Sequence, residues 1–137
     1  MFDPRKHLEF RDPPKTYSMK DIGYSEDTGI SNVAVSEPFP LFTPEAVRMF
    51  RAEVLSGEVY DNCRFSSDLA ACQLRGYAPR YAEFCYAAWK HPKTIEIVSK
   101  VAGIDLVTNM DYEIGHINLS VRSQNGAGKD PHEDTPI

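Results

Sequence analysis

The residues that could do chemistry lie mostly toward the C-terminal end. His132-Glu133-Asp134 is an H-x-D triplet. Side chains two apart on a strand point the same way. Such a pair can hold one face of an octahedral ion and leave the other open to co-substrate and oxygen, as in non-haem iron sites. His132 and Asp134 are therefore the candidate metal ligands. The triplet also lies between Pro131 and Pro136 in a polar stretch, which fits a solvated acidic loop better than a core strand. No later histidine completes a set of two histidines and one carboxylate. Asp111, Glu113 and His116 form a second oxygen- and nitrogen-bearing group. A third arrangement joins His116, His132 and Asp134 between subunits. The remaining histidines are His7, near the N-terminus, and His91, which precedes Pro92 and is placed to cap a helix.

Other chemistries find less support. The chain holds no G-x-G-x-x-G, phosphate-loop, G-x-S-x-G or H-E-x-x-H motif. Its three cysteines, Cys63, Cys72 and Cys85, are odd in number and lack metal-type spacing, so they read as reduced intracellular thiols. With 137 residues, 42% apolar and 26% charged, the composition is that of a globular domain. The net charge of −5 gives no electrostatic footprint for nucleic acid or for an anionic membrane. No apolar run approaches the roughly 20 residues of a membrane span. The N-terminus shows no secretory signal, so the expected location is cytoplasmic.

The elements that must position these residues follow from local patterns. Residues 1–29 are expected to form a flexible N-terminal arm, and residues 30–137 the domain itself. Val33, Val35, Phe39 and Phe42 supply apolar surface for docking, and residues 32–36 read as a short edge strand ended by Pro38. Thr43, Pro44 and Glu45 open a helix as N-cap, first residue and dipole complement, with Gly57 expected just past its end. In that helix Arg48 and Arg51 read as a solvated face. A second helix is expected from Ser66 or Ser67 to Arg75, a third from about Pro79 to Lys90, and a fourth from Pro92 to Gly103. Residues 111–121 read as a strand whose apolar phase slips at Gly115, the signature of a bulge or of burial on both faces. The pattern is α+β: an extended arm and helices leading into the first strands of a sheet. One long strand cannot cover several amphipathic helices, so the chain reads as the front part of a larger α+β or helix-plus-barrel domain.

Three segments carry a resemblance: Val33-Ala34-Val35-Ser36-Glu37-Pro38-Phe39-Pro40-Leu41-Phe42; Tyr77-Ala78-Pro79-Arg80 leading into Trp89-Lys90-His91-Pro92; and Asp111-Tyr112-Glu113-Ile114-Gly115-His116-Ile117-Asn118. Over residues 15–137 the chain resembles fungal non-haem iron(II)/2-oxoglutarate-dependent dioxygenases. The resemblance implies a double-stranded β-helix (jelly-roll) preceded by helices. It implies oxidation of a small-molecule substrate, with Fe(II) and 2-oxoglutarate as cofactors of the complete protein and none necessarily held by this chain. It also implies that His116 and Asn118 are the polar, cofactor-binding contributors to the cavity. The resemblance places the metal-binding H-x-D of such proteins on a strand shortly after a segment like residues 130–137, so that pair, the distal histidine and the 2-oxoglutarate arginine are expected beyond this sequence. The expected function is thus the N-terminal portion of such a dioxygenase, inactive as an isolated chain, partnered by a missing C-terminal half. The alternative is a non-enzymatic helical module for protein interaction or homodimerisation.

Overall fold

The computed structural model describes residues 1–66 and 72–120. It is a mixed α+β chain with two small antiparallel sheets. In order, the elements are α1 (Pro4–His7), β1 (Thr16–Ser18), β2 (Val33–Ser36), α2 (Pro44–Val54), α3 (Gly57–Cys63), β3 (Arg64–Phe65), β4 (Cys72–Arg75), α4 (Ala78–Tyr81), α5 (Glu83–Lys90), α6 (Pro92–Ala102), a 3-10 turn (Asp111–Glu113) and β5 (His116–Leu119).

Local capping chemistry sets the helix starts. The Thr43 hydroxyl oxygen accepts the Ala46 N–H at 3.3 Å and opens α2, with Pro44 first in the helix. Ser56 does the same for α3 through the Val59 N–H. Gly57 is therefore the first residue of α3, not the terminator of α2. The ring of His91 caps α6, its Nδ1 accepting the Lys93 N–H at 3.0 Å. Gly103 ends α6 in the left-handed conformation that glycine adopts without strain.

Residues 1–29 are tied to the rest of the chain along their length, by the Leu8–Phe42 bridge and the Asp12–Lys100 ion pair among other contacts. Phe2 and His7 are buried against Phe84, and β1 pairs with β2 as a separate two-stranded sheet. β2 covers the end of α6, where the Ser31 hydroxyl donates to the Ala102 carbonyl.

The second sheet runs β3-β4-β5, all antiparallel. Over residues 72–75 its β4 corrects the helix expected from Ser66 or Ser67 to Arg75; residues 67–71 lie outside the described residues. Cys72 and Leu74 are buried while Gln73 and Arg75 are half-buried, an alternation of period two. The Ser66-Ser67-Asp68 capping signal is local, whereas the strand is paired with β5 some forty residues onward. The long strand expected over 111–121 is also shorter: residues 111–113 form the 3-10 turn and β5 begins at His116. Gly115 turns the chain into β5 at φ +76° rather than marking a bulge. The expected third helix is broken at Ala82 into α4 and α5.

Two apolar clusters hold these parts together. Val54, Val59, Cys63, Leu74, Tyr77, Ala78, Ala82 and Ile114 join the helices to one face of the β3-β4-β5 sheet. Phe2, Ala46, Phe84 and Ala88 join α2, α5 and the N-terminal segment.

Candidate functional site

Among the described residues, the helices cover one face of the β3-β4-β5 sheet and not the other. Leu74 is wholly buried on that face, and Ile117 and Leu119 pack beside it. The opposite face carries Gln73, Arg75, His116 and Asn118. Arg75 lies opposite His116 and Gln73 opposite Asn118, in direct register. Phe65 of β3, also opposite Gln73, is 45% exposed on the same side. His116 and Asn118, the polar contributors the resemblance implies, thus share a polar sheet face whose other members, Gln73 and Arg75, lie in a segment that reads locally as helix.

The structure separates the Asp111, Glu113 and His116 group. Asp111 is held by α5: its carboxylate accepts the Tyr86 hydroxyl at 3.0 Å and the Lys90 ammonium at 2.9 Å. Those hydrogen bonds, Lys90 first, draw the Asp111 carboxyl below its ordinary range and raise Lys90 above its own. Glu113 instead faces Arg75, at 3.4 Å from Nη2. Each carboxylate therefore already has its own cation, and His116 lies opposite Arg75 in the cross-strand register. Among the described residues no three His, Cys, Asp or Glu side chains are grouped to hold a metal ion. These residues do not fit an Fe(II) centre. His132 and Asp134 lie outside the described residues.

The thiols are placed for packing. Cys63 and Cys72 are buried and all three cysteines are free. Burial first, and the Glu53 carboxylate second, push the Cys85 thiol up to about 12. Burial raises Cys63 as well. His7 is also structural: its Nδ1 accepts the Asp3 N–H at 2.8 Å and its ring lies against Phe2 and Phe84. Arg48 and Arg51 are exposed on α2, as expected of a solvated face.

Beside β5, the edge strand of the described sheet, lies an apolar groove of about 330 Å³. Phe42, Val47, Phe50, Trp89, Ile114 and Ile117 line much of it. None of the described helices is long and apolar enough to cross a membrane. Comparison with protein families, with curated proteins and with solved structures finds no match for this chain.

Proposed function

We propose that the chain is the N-terminal portion of a cytoplasmic non-haem iron(II)/2-oxoglutarate-dependent dioxygenase acting on a small molecule, with β3-β4-β5 opening its jelly-roll. The observation that carries this reading is the two-sided sheet. Helices cover one face, and the other bears Gln73, Arg75, His116 and Asn118 in register. A jelly-roll sheet with helices packed outside turns its other face toward the enclosed cavity, where polar side chains can meet ligands. The sequence resemblance supports the same reading.

In this reading Fe(II) and 2-oxoglutarate belong to the complete protein, with His132 and Asp134 as the candidate ligands in this sequence. Residues 1–137 alone are then inactive. The test is succinate formation from 2-oxoglutarate under Fe(II) and oxygen, on residues 1–137 and on any longer native form that supplies a later histidine. Turnover by the longer form alone is expected. Turnover by residues 1–137, or an inactive longer form that binds no Fe(II), overturns the proposal.

The groove beside β5 favours a second reading, a non-enzymatic interaction or dimerisation module, because apolar surface of this kind commonly marks a contact site. Sedimentation of the purified chain separates the two: a stable dimer with no longer native form favours the module.

A further inference from the structure

A second pocket, of about 300 Å³, lies between α6, the loop after it and the 3-10 turn. That is the lower end of the range for small-molecule sites. Its wall is mainly apolar, with Trp89, Val98, Met110 and Ile114 among the lining residues. Among the described residues, Glu113 is the only ionisable side chain lining it. Thr94, in the same wall, is almost wholly buried, and its hydroxyl has no hydrogen-bond partner among the described residues.

We propose that this pocket binds a small organic monocation, a protonated primary amine on an aryl or alkyl body. The apolar wall takes the body. Glu113 supplies the acceptor and the opposite charge. Trp89 adds an aromatic face, the indole being the ring that attracts cations best. Glu113 already meets Arg75, but at 3.4 Å and with both side chains well exposed, so that pair is weak and leaves the carboxylate able to take a second donor. A carboxylate ligand of the same shape meets only repulsion from Glu113. The assignment is independent of the dioxygenase reading.

Trp89 is the sole tryptophan and lines both this pocket and the groove beside β5, so its emission reports ligand entry and the Glu113 variant assigns the response to this pocket. The experiment titrates residues 1–137 with phenethylamine, phenethyl alcohol and 3-phenylpropionate. Phenethylamine is expected to saturate with an affinity about two- to fivefold above the alcohol, the span of an exposed charge pair. Phenylpropionate is expected to bind most weakly. Glu113→Gln should erase the preference for the amine, and Arg75→Ala, which removes the competing cation, should enlarge it. Equal or tighter binding of phenylpropionate overturns the proposal, as does the absence of any saturable response. A preference unchanged in Glu113→Gln also overturns it. Should either variant melt early, the three ligands on the unaltered chain still decide.

Discussion

The carboxylate of Glu53, on α2, caps α5 by accepting the backbone N–H of Phe84 at 2.8 Å; its second oxygen accepts that of Cys85 at 2.9 Å. Ala82, the residue at the N-cap of α5, offers no side-chain acceptor. A helix start without a cap leaves N–H groups unsatisfied, and here a neighbouring helix satisfies them with a charge that also complements the α5 dipole. Glu53→Ala is expected to destabilise the fold by about 2–3 kcal/mol, as hydrogen bonds to a charged acceptor are lost and partly buried donors are orphaned. Glu53→Gln keeps one acceptor and should cost about half as much. Urea unfolding followed by circular dichroism measures both. Equal stability of wild type and Glu53→Ala would show that water caps α5 as well.

Two glycines pack reciprocally against two tyrosines where β4 ends and β5 begins. A Cβ on Gly76 would come within 2.6 Å of the Tyr112 ring, and one on Gly115 would overlap the Tyr77 hydroxyl. Both residues also have φ near +70°, at +69° and +76°. Gly115→Ala therefore combines a left-handed backbone cost of about 1–2 kcal/mol with a steric clash. Gly23, at φ +93°, has nothing within 4 Å of its Cβ position, so Gly23→Ala carries the backbone cost alone. Thermal melts should rank Gly115→Ala well below Gly23→Ala. The reverse order would mean that Tyr77 yields easily.

The link between Asp111 and Lys90 gives the fold a pH-dependent tie. The Asp111 carboxyl is lowered in the folded chain, chiefly by its hydrogen bond from Lys90. Its contribution is therefore present above the carboxylate's ordinary value, about 4, and is lost as pH falls through the lowered folded value. Lys90 is raised by the same bond, so its contribution is full below its ordinary value, about 10, and is lost as pH rises through the folded one. Melting temperatures of wild type and Asp111→Asn should differ at pH 7 and draw together as the pH is taken down through the lowered Asp111 value. A difference that persists unchanged at low pH would assign the effect to the Tyr86 hydroxyl instead.

The thiols should be slow in the native chain. With Cys85 held up to about 12 by burial and Cys63 raised by the same cause, little thiolate forms at pH 8. Labelling of Cys85 by a disulfide reagent should run at least about a hundredfold slower than in 6–8 M urea, since each pH unit is tenfold in thiolate, and Cys63 should also be slowed by its burial. Fast native labelling at Cys85, located by peptide mass, would contradict the packing around it.

How much of this was legible beforehand depends on the distance between partners. Thr43 and Pro44, His91 and Pro92, and Gly103 announce helix ends because capping bonds reach only two or three residues, so the amino-acid order itself carries them. The β2 segment and the general α+β character were legible for the same local reason. The identity of β4 was not. Its four residues read as helix until β5, forty residues onward, supplies the hydrogen bonds that make a strand. No local pattern marks Glu53 as the cap of α5, because its partners lie some thirty residues onward. Asp111 and Glu113 read as paired metal ligands until the fold gives each a separate cation, Lys90 and Arg75. The polar face shared by Arg75 and His116 exists only through cross-strand register. Local bonds are encoded by neighbours in sequence; a charge's partner and a strand's register are decided by chain segments that meet only in three dimensions.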